Sequence, residues 1–589
     1  MAAAVACSDP AERARRPAPA TPREAAPDRN PRPAYVDPPA APGAVAGRVT
    51  ADGDALLAVW VEPADPAAAG SGSTRRGPHR VRYARFAEGR WTAPATIAEG
   101  DDVLANWADT PAVARGGDGA LVAHWARLHP GGGFAYDVAL ARSTDDGATW
   151  TPLGVAHDDG TATEHGFVSM LRDPRGVRLF WLDGRRTARG HGDGATMLRT
   201  AVVSTRVGED SVVDERVCDC CATAAAAVDG RPVVAYRDRS ADEIRDITIA
   251  RADREGWAHT SFADGWRIPG CPVNGPAVAA AGGALWVAWY TYAGERGSVR
   301  AAVSTDGGAT FSAPIAIDGP RGRREPVGRV SIAAVTERDA VVSWIASDRE
   351  DARIYARRVA ADGRVGAERA LAPTTPERDA GFPRVAPLGR DHLALLWTAT
   401  AGERDGATRL RMLAIPLAEL PPPAGAVSAP PARDAAGGLL AVGAPMPAAT
   451  VARLDGTPTT LADAGGRAVL VNVWATWCEP CRHELPVLAA LQRRYGDAGL
   501  RVVAVSVDRQ RTAGELRAFA ERRELPFSVW HDPHEALATA LGGQTVPASF
   551  LFDGDGRLVW RRAGAIATGD VDLTRAVEAA LAPRRPARR

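Results

Sequence analysis

An apolar strand carrying an aromatic residue returns along most of this chain, at Trp60, Trp125, Trp181, Tyr236, Trp289, Trp344 and Trp397. After the first interval the copies stand about 53 to 56 residues apart. Several are preceded by a short strand pattern, as at Pro111 to Ala114 and Pro276 to Ala279. Several are followed by an alternating one, as at Val138 to Ser143 and Val299 to Ser304. Short strands repeating at this period cannot bury their faces alone and must stack, which is the signature of a β-propeller. Seven aromatic strands predict seven blades over residues 46–417, with the N-terminal segment completing the last. Six blades is the alternative, because terminal repeats are atypical. At 589 residues the chain is too long for one core, so a further domain is expected.

A Pro/Ala/Gly spacer, 418–442, includes Pro421-Pro422-Pro423 and allows either docking or free swinging. Beyond it, over 443–582, strand and helix alternate as in an α/β domain. Strands are predicted at Ala468 to Trp474, Leu500 to Val507 and Phe527 to Trp530. Helices are predicted at Cys478 to Tyr495 with a kink at Pro486, Thr512 to Arg523, Glu535 to Leu541 and Val571 to Leu581. A hairpin joins Ala548 to Phe552 with Leu558 to Arg562, and a basic tail, 583–589, follows the last helix. Trp477-Cys478-Glu479-Pro480-Cys481 lies where the first strand feeds the first helix. Cysteines three apart at a helix start share one face, so their sulfurs can close a bridge. The first thiol also meets unpaired N–H groups of the opening turn, which favour its thiolate. Half of a zinc site is the alternative, but no second ligand pair follows.

The run Val471-Asn472-Val473-Trp474-Ala475-Thr476-Trp477-Cys478-Glu479-Pro480-Cys481, with Glu484, Pro486 and Thr545-Val546-Pro547, resembles thioredoxin-fold proteins of the TlpA/ResA type. The resemblance implies that Cys478 attacks, that Cys481 resolves, and that Pro547 is a cis-proline packed against the disulfide. It implies that Glu484 accepts a proton near the resolving cysteine; a solvated helix residue is the alternative. Thioredoxins carry a buried aspartate where this chain has Asn472, which leaves Glu484 as the carboxylate able to relay a proton. Peroxidase chemistry is demoted, because Ala475 stands where peroxiredoxins carry threonine and Cys481 is ready to resolve. Glu479 and Glu484 place negative charge near the dithiol, which favours a reducing role. The implied partners are a protein disulfide substrate and a membrane electron donor of the DsbD/CcdA type, in a setting such as cytochrome c biogenesis or envelope thiol maintenance.

Charge balances, 71 basic against 71 acidic residues, so no steering toward nucleic acid or a membrane surface is indicated. All 71 basic residues are arginine, which excludes Schiff-base chemistry on a lysine. No apolar run reaches the roughly 18 residues that span a bilayer. Ala4-Val5-Ala6-Cys7 resembles the end of a bacterial lipoprotein signal, making Cys7 a lipidation candidate; the alternative is an incidental cysteine in an unfolded tail. Residues 1–45 are read as that tail, too poor in large apolar residues to fold. The expected location is periplasm or cell envelope.

Ser143 to Trp150 and Ser304 to Phe311 resemble Asp-boxes of the sialidase/BNR-repeat family. These are structural hairpin turns and do not imply glycosidase activity. Arg267-Ile268-Pro269 resembles a sialidase arginine motif but lies deep in the array. The propeller's own oddity is Cys218, Cys220 and Cys221, joined by Cys271. Cys221 lies 15 residues before Tyr236 and Cys271 lies 18 before Trp289, which places both in loops leading into innermost strands of neighbouring blades. His165, beside Glu164, occupies the matching place one blade earlier, and Asp109 and Arg329 fall at similar positions elsewhere. Three readings stand: structural disulfides, a copper or zinc site with His165 as an extra ligand, or a redox-labile bridge. The chain is thus expected to be multidomain, an all-β propeller followed by an α/β thioredoxin fold. It is read as an extracytoplasmic thiol–disulfide oxidoreductase, a reductant by its charges, needing no cofactor. The alternative is a propeller that binds a glycan, peptide or metal while the redox domain maintains its cysteines.

Overall fold

The computed structural model describes residues 33–65, 77–130, 135–188, 194–254, 256–294, 296–319, 324–348, 351–399, 407–424, 439–509, 511–543 and 545–582. Its first part is a propeller of seven antiparallel sheets, so the six-blade alternative does not hold. The innermost strands, such as His165–Asp173, Ala224–Val228 and Ala277–Ala281, pack against their neighbours all the way around the axis. The aromatic strands are the second of each blade. Blades stack on both sides of such a strand, so both of its faces are buried: every residue of Ala55–Pro63 and Ala284–Thr291 is inaccessible. That is why these strands read as continuous apolar runs instead of alternating ones. Trp60, Trp181, Tyr236, Trp289 and Trp344 are each less than 2% exposed.

The N-terminal segment completes the last blade as expected, but it begins earlier than the predicted boundary at residue 46. Residues 34–45 are not tail: strand Ala34–Tyr35 pairs with Arg409–Pro416 as the outermost strand of the last blade. The Asp37 carboxylate then accepts from the Met412 amide and from Arg411, each at 2.8 Å. Main-chain pairing and one carboxylate do this work, and neither leaves an apolar pattern to read. Cys7 lies outside the described residues.

The two segments that resemble Asp-boxes are tight turns closed by their own carboxylates. Asp145 accepts from the Thr149 amide (2.9 Å) and hydroxyl (2.6 Å), and Asp306 does the same with Thr310. Gly147 and Gly308 hold φ of +88° and +86° in those turns.

The second part is a seven-stranded mixed sheet with four helices. In sheet order the strands are Pro458–Thr459, Val451–Arg453, Ser528–His531, Leu500–Ser506, Ala468–Trp474, Ala548–Phe552 and Leu558–Ala563. The first two were not predicted, since strands of 2 and 3 residues carry no period. Helices α1 (Glu479–Tyr495), α2 (Ala513–Arg522), α3 (Ala536–Ala540) and α4 (Val571–Leu581) lie within a residue or two of expectation.

This domain is docked on the propeller face formed by the loops leading into the innermost strands. The Cys271 amide donates to the Val546 carbonyl and the Ala565 amide to the Pro269 carbonyl, both at 2.8 Å. Farther out, Arg509 pairs with Asp379 at 2.5 Å and Arg378 with Glu535 at 3.0 Å. Arg378 and Glu535 are buried there, at 4% and 6% exposure. Removing one partner of a buried pair strands the other charge and costs about 3 kcal/mol or more. Arg509→Ala is therefore expected to loosen docking and speed reduction of the interface disulfide Cys478–Cys481 by a phosphine at least about 100-fold. An unchanged rate in the full chain would show that the docked arrangement does not shield the disulfide.

Candidate active site at the domain interface

Cys478 is the N-cap of α1, and Pro480 sits in the first turn, where its missing N–H costs nothing. The Cys478 sulfur accepts from the Cys481 amide at 3.2 Å, as a sulfur at a helix N-terminus should. The two cysteines are disulfide-bonded and both are 0% exposed. The preceding turn is held from the neighbouring strand. Asp508, buried just beyond Leu500–Ser506, accepts from the Thr476 amide (2.8 Å), the Thr476 hydroxyl (2.6 Å) and the Ser506 hydroxyl (2.6 Å). Sequence reasoning missed Asp508; its only signal was a carboxylate at the C-terminal end of a buried parallel strand.

Glu484 follows Cys481 by one helical turn on the same face and is 1% exposed, not solvated. One oxygen accepts from the Asn472 side-chain amide at 2.7 Å, the other from the Ile566 amide at 2.8 Å. Asn472 also donates to the Ser549 hydroxyl at 2.9 Å. Burial pushes the Glu484 carboxyl up to about 7, against the pull of those two hydrogen bonds. The Val546–Pro547 bond is cis, and half-buried Thr545 precedes it. The Cys478 sulfur lies 3.7 Å from the Val546 carbonyl oxygen.

That same oxygen receives the Cys271 amide, so Cys271 and Val546 form an antiparallel bridge between the domains. Gly270 makes the approach feasible: a Cβ there would stand 3.1 Å from the Val546 oxygen. Around Cys271 the propeller gathers its other thiols. The sulfurs of Cys218, Cys220 and Cys221 lie within 4.8 Å of one another, with Cys218 and Cys220 at 3.8 Å. Cys220 also contacts the Cys271 thiol. All four are buried and none is disulfide-bonded. Burial pushes the Cys218 and Cys220 thiols up to about 11. A cavity of about 90 Å³ opens beside them, lined by Glu164, Asp219, Cys220, Cys271, Trp107 and Trp477. Arg378 lies over the Trp477 ring at 5.8 Å, while Glu479 stays partly exposed at the start of α1.

His165 does not join the sulfurs. Its ring stacks on His157 at 3.7 Å, and its Nε2 lies 3.1 Å from Asp159 and 3.7 Å from Asp183. The cation of that group is already present as Arg185, which grips Asp183 through two bonds of 2.7 Å. The spacing placed His165 on the right face but in a loop; it is the first residue of the innermost strand His165–Asp173, and its side chain turns to Asp159 and Asp183. Arg267 is exposed and donates to the Asp242 carbonyl at 3.0 Å, next to the docking contact at Pro269.

The AhpC/TSA family model matches residues 442–561. ResA, a thiol-disulfide oxidoreductase of Bacillus thuringiensis strain Al Hakam, is 32% identical over 118 residues, 20% of this chain and 67% of the relative. ResA of Geobacillus kaustophilus is 31% identical over 133 residues, 23% of this chain and 75% of the relative. A solved thiol:disulfide interchange protein from Chlorobium tepidum TLS is 28% identical, covering 24% of this chain and 100% of that one with a TM-score of 0.21. Through its C-terminal domain, the chain belongs to the ResA-type thiol–disulfide oxidoreductases.

Proposed function

We propose that the dithiol works in the reductive direction and that its first substrate is the cysteine cluster of its own propeller. The single observation carrying this is the Cys271–Val546 bridge, which sets a propeller cysteine against the residue before Pro547 and beside Cys478. Take a Cys220–Cys271 disulfide as the oxidised cluster. Cys478 thiolate attacks the Cys271 sulfur; a Cys478–Cys271 bond forms, and Cys220 leaves as thiolate and takes a proton. Glu484 removes the Cys481 proton, Cys481 attacks Cys478, and Cys271 departs as thiolate to be protonated in turn. Two electrons and two protons pass from the dithiol to the cluster. The end state has Cys478 and Cys481 joined and four free propeller thiols, as the sulfurs are arranged here.

In this reading the protein acts in the cell envelope, as the likeness to TlpA and ResA proteins implies. A membrane donor of the DsbD/CcdA type re-reduces Cys478–Cys481 after the domain lifts off, since the docked disulfide is fully covered. A foreign protein disulfide, such as that of an apocytochrome c, competes for the same undocked surface.

Cys481→Ser removes the resolving thiol. It is expected to accumulate an intramolecular Cys478–Cys271 disulfide, found by peptide mapping after oxidation. Recovery of foreign proteins in its place would transfer the substrate role outside the chain. The pH profile tests Glu484. Its carboxylate form is the base, so cluster reduction should accelerate as pH rises through about 7. Glu484→Gln is expected to lose that inflection and slow the step about 100-fold. The same ionisation works against the fold: with the folded value raised, stability present below the ordinary carboxyl range is lost as pH climbs through about 7.

A further inference from the structure

The propeller cluster has a chemistry that reduction alone does not explain. Four thiols from two neighbouring blades converge with no bond among them, at 0%, 8%, 1% and 2% exposure for Cys218, Cys220, Cys221 and Cys271. Small structural cysteines are ordinarily scattered or paired; here the Cys218–Cys220 separation is 3.8 Å, too long for a disulfide. It is the edge expected of a thiolate tetrahedron, about 3.8 Å for metal–sulfur bonds near 2.3 Å. We infer that Cys218, Cys220 and Cys221, whose sulfurs lie within 4.8 Å of one another, bind one thiophilic closed-shell cation, copper(I) or zinc(II), with Cys271 against Cys220 as the adjoining fourth donor.

The surroundings suit an anionic sulfur shell. Arg245, 0% exposed, donates to the Cys218 sulfur at 3.4 Å, and Asp219 (3.0 Å) and Glu243 (2.8 Å) hold it there. A buried guanidinium aimed at sulfur offsets the negative charge that three or four thiolates leave around a cation of charge one or two. Arg237, 1% exposed, ties the two cysteine loops together. Its carbonyl accepts from the Cys218 amide at 2.9 Å, and its guanidinium donates to the carbonyls of Asn274, Arg245 and Tyr290 at 2.6–2.9 Å. The donors are therefore preset by main-chain contacts before any metal arrives. Among the described residues, the donor group formed by Cys218, Cys220 and Cys221 holds sulfur alone, and an all-sulfur set selects soft ions over magnesium or calcium. Asp219 lines the adjoining cavity beside the sulfurs, with Glu164 across it. On binding, thiol protons leave to solvent and metal–sulfur bonds form; no electrons move. The docked C-terminal domain then caps the site through Trp477 and the Cys271–Val546 bridge.

This inference goes beyond the reductase reading and stands without it, because the ligands all belong to the propeller. The test uses the full chain, reduced and kept free of oxygen, titrated separately with copper(I) against a chromophoric chelator and with zinc(II). One equivalent of one of these metals is expected to survive desalting, in wild type and in Cys478→Ser/Cys481→Ser alike. Cys220→Ser should bind at least tenfold more weakly. X-ray absorption on the loaded wild type should show a sulfur shell near ~2.3 Å, and decides the matter unaided if Cys220→Ser does not fold. Absence of retained metal, a shell of nitrogen or oxygen, or binding lost only with Cys478 and Cys481 would overturn it. Failure of the Cys481→Ser trap alongside normal metal retention would overturn the reductase reading only.

Discussion

One main-chain hydrogen bond, from the Cys271 amide to the Val546 carbonyl, sets the Cys478–Cys481 pair against the propeller's cysteine cluster. It is directional, and the local sequence leaves it a single register. Gly270 lacks the side chain that would collide with the Val546 oxygen, and Pro272 lacks the N–H that could substitute for that of Cys271. A slip by one residue in either direction therefore loses the bond or the sulfur. The parallel contact between Ala565 and Pro269 fixes the other end of the strip. Gly564, at φ of +88°, passes close enough to Pro269 that an added Cβ would lie 2.8 Å from its ring.

Around that strip the interface is built from groups that are costly to bury singly. Arg378, Arg509, Asp379 and Glu535 form a nearly closed set of ion pairs, with Glu377 beside them. Burial and the neighbouring Asp379 push the Glu377 carboxyl up to about 7. Pairs of this kind add little net stability over an apolar contact, yet they penalise any wrong alignment by leaving a charge unmatched. The two devices divide the labour: backbone bonding sets the position of the sulfurs, and the charges reject other poses.

Much of this architecture was legible because its physics is periodic. A strand covered on both faces must be apolar throughout, so Trp60 through Trp397 announced seven blades. The strand–helix alternation from Ala468 to Leu581 did the same for the redox domain, and the cysteine offsets placed four thiols on one face. What stayed hidden depends on partners distant in sequence. That an N-terminal segment completes the last blade was legible, but its position at Ala34–Tyr35 is defined by what it pairs with, and Val451–Arg453 is too short to carry a pattern. His165 was placed on the correct face, but it opens the innermost strand and its ring follows Asp159 and His157, which the blade alignment did not bring forward. Arg245 was one arginine among 71 and could not be singled out by composition. Docking itself was left open by a linker compatible with either outcome.

Because both surfaces belong to one polypeptide, their meeting is an intramolecular equilibrium. Two surfaces joined within one chain typically meet at an effective concentration on the order of millimolar. A freely diffusing disulfide protein at micromolar abundance thus starts at a disadvantage of roughly a thousandfold at equal intrinsic affinity. Covalent connection thus acts as a selectivity filter: it sets how good a stranger must be before the dithiol is released to it.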